Sequence, residues 1–276
     1  MHSETVSQEI ETDDQVAGAL SAESSTSAVR RLAGKLWLWW SLIAAGLLLL
    51  IFGPPSILVA DLARRPELVY PWALFGARNW LRLSGVHVRV RGLEHLDPKQ
   101  SYVFVANHRS FLDTATLFFH LRRRIGILAK KELLKVPILG YGMGHVNIMA
   151  IDRSNRTRAI QTMKEATDRL RRGVSMGVFA EGTRSGPGGL LPFKKGAFYM
   201  AIEAGVPVVP VAIKNTDKLM GKGTGVARPG SIEMVVLPPI ATAGLSTDED
   251  VKRLAEQTRA SVAAELGISD EGDESP

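Results

Sequence analysis

Seventeen consecutive uncharged residues, Leu36 to Phe52 (LWLWWSLIAAGLLLLIF), stand out from an otherwise mixed chain. A helix of that length is at the lower limit for crossing about 30 Å of hydrocarbon. Trp37, Trp39 and Trp40 cluster at one end, and indoles favour the lipid–water interface. The run starts too far from the first residue, and lacks the small-residue cleavage site, for a secretory leader. Gly53-Pro54-Pro55 then offers a break at which the chain can dip into one leaflet and return through a second apolar run, Ser56 to Ala60. From Pro66 to Ser84, Leu68, Val69, Trp72, Leu74, Phe75, Trp80 and Leu81 are interleaved with Arg78 and Arg82, the pattern of an interfacial amphipathic helix. A two-helix membrane anchor over 30–84 is the economical expectation, and a single span is the alternative.

Beyond residue 85 the pattern changes to short apolar runs alternating with helical periodicity. Strands are predicted at Val86–Val90, Tyr102–Ala106, Ile125–Ala129, Asn147–Ile151, 174–180, 207–213 and 231–236. Helices are predicted at Ser110–Leu121, Asn155–Arg172, 195–204 and 247–266. Such alternation implies an α/β domain over 85–269, with a largely parallel central sheet flanked by helices behind an N-terminal helical membrane anchor. Sites in such sheets gather beyond the carboxyl ends of the strands. Residues 1–29 are acidic, polar and rich in Ser and Thr, an expected disordered segment, and 270–276 is an acidic tail.

Charge sharpens this picture. The formal net charge of +6 hides the two acidic ends, which together hold ten carboxylates and no Lys or Arg. Residues 30–269 carry 34 basic and 18 acidic side chains. A body that basic seeks a polyanion, and the apolar segment favours an anionic membrane face and phosphorylated ligands over nucleic acid. Cysteine is absent, which excludes disulfides, thiolate metal sites and a thioester carried on the protein. The histidines other than His108 show no metal-ligand spacing.

The candidate chemistry lies at two strand exits. Tyr102–Ala106 runs into Asn107-His108-Arg109-Ser110-Phe111-Leu112-Asp113. On a straight helix, positions five apart are rotated by about 140°. His108 and Asp113 therefore meet only if the histidine lies in the turn and the aspartate in the first helical turn. A neutral imidazole so placed takes a proton from a hydroxyl while the carboxylate fixes its tautomer. Ser110 and Asp113 also have capping-box spacing, so a purely structural role for Asp113 stays open. The second exit is Phe179-Ala180-Glu181-Gly182-Thr183-Arg184-Ser185. Arg184 offers a rigid fork suited to phosphate and Gly182 allows close backbone approach, with Lys130, Arg153, Lys194 and Lys195 as further positive charge. Gly173-Val174-Ser175-Met176-Gly177 fits a serine-hydrolase elbow, but a helix precedes it and a strand comes after, the reverse of what an elbow needs. The Gly221–Gly225 loop lacks the spacing of a nucleotide cradle.

Over about residues 85–240 the chain resembles the glycerolipid acyltransferase family, most closely its bacterial 1-acylglycerol-3-phosphate acyltransferases. Four blocks carry the resemblance: Asn107-His108 to Asp113, Gly144 to Arg153 ending Ile151-Asp152-Arg153, Phe179 to Ser185 with Ala180 in place of the usual proline, and Val206 to Val211. The resemblance implies that His108 is a general base oriented by Asp113. It also implies that Arg153, Glu181, Gly182, Thr183 and Arg184, with Lys130, form a glycerol-phosphate site in which Glu181 positions neighbouring basic groups. The implied reaction is direct attack of a glycerol 2-hydroxyl on an acyl thioester, from acyl-CoA or an acyl-carrier protein, with no metal, no cofactor and no acyl-enzyme. The implied location is the cell membrane, with the catalytic domain facing the cytoplasm. The rival expectations are a family member acting on glycerol 3-phosphate, another lysophospholipid or an envelope glycolipid, and a non-enzymatic protein that binds anionic lipid.

Overall fold

The computed structural model describes residues 27–186 and 188–268. The acidic segment 1–29, apart from its last three residues, and the tail 270–276 lie outside the described residues. Among the described residues seven strands are present: β1 (Val86–Arg91), β2 (Val103–Ala106), β3 (Ile125–Lys130), β4 (Ile148–Ile151), β5 (Ser175–Phe179), β6 (Val208–Lys214) and β7 (Gly230–Val236). They form one sheet in the order β1-β7-β6-β2-β5-β3-β4. From β6 to β4 all neighbours pair parallel, whereas β7 is antiparallel to β6 and parallel to β1. The parallel block of five strands thus has one shared carboxyl edge, and β1 and β7 point the other way.

Among the described residues the helices are α1 (Ser27–Leu62), α2 (Tyr70–Leu83), α3 (Leu112–His120), α4 (Leu139–Gly142), α5 (Arg156–Arg171), α6 (Gly196–Ala204), α7 (Thr216–Met220) and α8 (Asp248–Leu266). They cover both faces of the sheet, because every residue of β2 is buried and successive side chains leave on opposite sides. Phe104 and Ala106 join one core with Leu117 of α3 and Leu81 of α2. Val103 and Val105 join the other with Leu170, Phe198 and Val262 of α5, α6 and α8. Local chemistry bounds these helices. Asn155 caps α5 by accepting from the Arg158 N–H, and Thr247 and Asp250 form a reciprocal capping box on α8.

The expected break at Pro54-Pro55 does not occur: α1 continues through both prolines to Leu62. A proline inside a helix costs about 3 kcal/mol, and packing on either side of the pair offsets it. Before it, the Trp37 indole donates to the Ser84 carbonyl at 3.0 Å and the Trp80 indole to the Ser41 carbonyl at 3.0 Å. After it, Asp61 accepts from the Tyr141 hydroxyl at 3.0 Å and meets His145 Nε2 at 2.9 Å. At Gly53 the approach is so close that a Cβ would lie 2.5 Å from Ile138 Cγ2. The segment Ser27–Leu62 is long and apolar enough to cross a membrane, with a mean hydropathy of 2.3 and only 11% buried over its most apolar stretch. Helix α2 packs antiparallel beside it through the turn at residues 63–69 and then rests on α3.

Candidate active site

Strand β2 ends at Ala106, and Asn107 anchors its exit. The buried Asn107 side chain donates to the Ile213 carbonyl at 2.9 Å and accepts from the Ile213 N–H at 2.7 Å, stitching the end of β2 to β6. The chain then turns, and His108 and Asp113 meet as the turn-then-helix arrangement requires. His108 Nδ1 lies 2.8 Å from Asp113 Oδ2. The same oxygen accepts the backbone N–H groups of Arg109 and Ser110, each at 2.7 Å. Asp113 is therefore both the orienting partner and the cap of the turn. Its side chain is fully buried; in the tautomer that donates from Nδ1 to this oxygen, the neutral ring carries its lone pair on Nε2. The His108 side chain is 19% exposed, and its ring stacks on Phe179 at 4.2 Å between centroids. An imidazole held this way can take a proton from a hydroxyl arriving at Nε2.

Strand β5 is the neighbour of β2, so the second motif emerges beside the first. Glu181 spans the gap, accepting the His108 N–H at 2.6 Å and the Leu191 N–H at 2.9 Å. Both bonds run to backbone groups, and one of them is the main chain of His108 itself. Burial pushes the Glu181 carboxyl above the ordinary 4.5, opposed by the N–H groups of Leu191 and His108 and by the Ser185 hydroxyl. The Ser185 N–H returns a bond to the His108 carbonyl at 2.8 Å, so the two loops are tied from both directions. Alanine at 180 does not disturb this turn, since its carbonyl accepts from the Lys194 N–H at 2.8 Å. Gly182 has φ +75°, and a Cβ there would lie 2.8 Å from Lys194 Nζ. Glycine at this position therefore lets an ammonium lie against the backbone. Thr183 comes directly after the turn that the Gly182 N–H closes on the Phe179 carbonyl at 3.0 Å. The Arg184 guanidinium lies over the Phe111 ring, 3.8 Å from its centroid.

Residues 87–214 match the family model described as Acyltransferase. The 1-acyl-sn-glycerol-3-phosphate acyltransferase alpha of Mus musculus is 40% identical over 182 residues, 65% of this chain and 64% of that protein. The 1-acyl-sn-glycerol-3-phosphate acyltransferase of Saccharomyces cerevisiae is 38% identical over 180 residues, 64% of this chain and 59% of that protein. A crystal structure of the 1-acyl-sn-glycerophosphate (LPA) acyltransferase, PlsC, from Thermotoga maritima superposes with a TM-score of 0.71 at 26% identity, covering 86% of this chain and 96% of that one. Over this region the chain is similar to glycerolipid acyltransferases. It spans slightly under two thirds of the length of the mouse and yeast relatives.

The remaining candidates fall on the same carboxyl edge but farther out. Lys130 ends β3 and Arg153 comes just after β4, two and three strands from β2, or roughly 10 and 14 Å at the ~4.8 Å strand spacing. Lys130 is exposed and lies 3.5 Å from Glu132. Asp152, beside Arg153, accepts from Lys131 Nζ at 2.7 Å and from the Ser154 hydroxyl at 2.6 Å. These partners hold its carboxyl down at about 2. The structure thus brings His108, Asp113, Glu181, Gly182 and Arg184 together and leaves Lys130 and Arg153 along the rim. Among the described residues no cluster of His, Asp and Glu is arranged to hold a metal. Ser175 sits at the opposite end of β5, where its hydroxyl accepts the Tyr102 N–H at 3.1 Å. Sequence reasoning missed Phe111, Lys222, whose ammonium donates to the Arg184 carbonyl at 2.7 Å, and the buried Arg109, 3.7 Å from Asp217. Phe111 lay in plain view between the histidine and aspartate, but nothing in the spacing says which distant side chain it meets.

Proposed function

We propose that this chain transfers a fatty acyl group from an acyl thioester to the 2-hydroxyl of 1-acylglycerol 3-phosphate, giving phosphatidic acid. The observation that carries the reading is the His108–Asp113 pair in one turn with Phe111, whose ring lies under Arg184 and lines an apolar cavity of about 430 Å³. That cavity runs between α1, α2 and α3 and is lined by Leu49, Phe52, Trp72, Phe118 and Met143, with Phe111 among its walls. A mainly apolar pocket with a few convergent polar groups suits an acyl chain whose reacting end must meet a base. In the proposed step, Nε2 of His108 takes the hydroxyl proton as the acceptor oxygen bonds to the thioester carbonyl carbon. The tetrahedral intermediate then expels the thiolate, and the imidazolium returns the proton to sulfur. Asp113 stabilises the imidazolium throughout. The acyl-CoA or acyl-carrier-protein thioester is a co-substrate, so this chemistry calls for no further cofactor.

The same reading seats the protein in the cell membrane with its catalytic domain on the cytoplasmic side, where soluble thioester donors reside. Helix α1 touches the folded domain from Gly34, which approaches Val226, to Asp61, which meets His145. Contact over that whole length favours a helix lying within one leaflet over one that crosses both. Its exposed Trp39, Ile43, Leu47, Leu50 and Ile51 face outward from those contacts.

The test is product analysis with purified protein, acyl-CoA and a panel of lysophosphatidate, glycerol 3-phosphate and neutral lysophospholipids. Lysophosphatidate is expected to be the preferred acceptor, and His108→Ala to reduce transfer to background with the circular dichroism spectrum retained. Transfer surviving in His108→Ala, or a preference for another acceptor, would overturn the corresponding part.

A further inference from the structure

We propose that Phe111 is a positioning residue shared by both substrates: its ring carries the Arg184 guanidinium and walls the apolar cavity, so that phosphate and acyl chain are held in register with His108. This rests on the acyl-transfer reading and adds a residue to which no role has been assigned.

Phe111 is 52% exposed, whereas its neighbour Leu112 is 1% exposed. A large aromatic left half in solvent beside a fully buried leucine is not there to fill a core. Its two contacts are of opposite character. On the polar side, the Arg184 guanidinium carbon lies 3.8 Å from the ring centroid, well inside the ~6 Å within which a cation is attracted to a ring. On the apolar side, the residue lines the cavity together with Thr114 and Ala115 of the next turn of α3.

The backbone makes this stack a ruler. The Ser185 N–H is bonded to the His108 carbonyl at 2.8 Å, and the Arg184 carbonyl accepts from Lys222 Nζ at 2.7 Å. Phe111 lies three residues after His108 in a turn pinned by Asp113. The path from His108 through Phe111 to Arg184 and back through Ser185 therefore closes on itself. Among the described residues, no carboxylate forms an ion pair with Arg184, so the aromatic face is what fixes its guanidinium. Stacking by its flat face leaves the five N–H groups around the edge of the guanidinium, the geometry that grips an oxyanion. A phosphate gripped there stands at a set distance from the base. An acyl chain threading past the same ring presents its carbonyl to the same point.

The experiment compares Phe111→Leu, which keeps apolar bulk without the ring, with Phe111→Trp, which keeps a ring. Binding of lysophosphatidate and of its phosphate-free counterpart, 1-acylglycerol, is titrated in detergent micelles beside steady-state kinetics, with circular dichroism as the folding control. Phe111→Leu is expected to weaken lysophosphatidate binding about three- to tenfold, the scale of a lost cation–π contact, and 1-acylglycerol binding much less. The KM for lysophosphatidate should rise more than kcat falls, and Phe111→Trp should restore most of both. Unchanged lysophosphatidate binding in Phe111→Leu, or equal loss in Phe111→Leu and Phe111→Trp, overturns the proposal. Absence of acyl transfer by the wild type, with lysophosphatidate binding still ring-dependent, would remove the acyl-transfer reading and leave the role of Phe111 standing. Normal turnover with ring-independent binding would do the reverse.

Discussion

A single carboxylate oxygen, Asp113 Oδ2, receives the His108 imidazole and two backbone N–H groups within 2.8 Å. The motif read along the chain allowed either a helix cap or a partner for the base; the atoms show one oxygen doing both. Replacing it by asparagine puts an amide where an acceptor is needed. Asp113→Asn is expected to favour the wrong imidazole tautomer and to lower kcat by roughly 10³- to 10⁴-fold. It should also cost about 1–3 kcal/mol of stability through an unsatisfied buried donor. Steady-state kinetics and urea denaturation of the same sample check the two halves separately. Loss of activity without loss of stability would show that the cap is dispensable.

The candidate site is assembled because β2 and β5 are neighbours, and Glu181 is the bond between their exits. Its carboxyl is raised by burial, so the folded chain binds that proton more tightly than the unfolded chain does. The stabilisation from this difference is full below the ordinary value of 4.5 and is lost as pH rises through the folded-state value. The Tm of the wild type minus that of Glu181→Gln is therefore expected to fall as pH increases from about 4.5. Thermal melts across that range test this, and a flat difference would mean that Glu181 is not the group responsible. Strands and long helices were readable in the sequence because periodicity reports burial. Short helices such as α4 and α7 were not, since four or five residues carry no period. Persistence of α1 through Pro54-Pro55 was also beyond a local reading, because the compensating contacts come from residues 80, 141 and 145.

For the molecule as a whole, the cavity is the consequence of docking two apolar helices onto an α/β domain. Gly76 of α2 lines it, and a Cβ there would meet nothing within 4 Å. Gly76→Leu is expected to fill part of that space while improving the helix by up to about 1 kcal/mol. In a competition assay with acyl-CoA donors of graded length, the variant should shift toward shorter chains with Tm held or raised. An unchanged donor profile would place the acyl chain elsewhere.

The sequence by itself determined the apolar helix, the strands of the sheet, the spacing at which His108 and Asp113 pair, and the basic character of the body. These come from composition, from periods of 2 and 3.6, and from spacing within a few residues, all of which act locally along the chain. Tertiary structure alone decided that Glu181 bonds the backbone of His108, that Lys130 and Arg153 stand two and three strands from the strand leading to His108, and that Arg184 rests on Phe111. Each of these depends on the strand order β2-β5-β3-β4 and on contacts between residues up to 73 apart in the chain. No local pattern encodes such neighbours, because their pairing is set by how whole layers bury their apolar faces against one another.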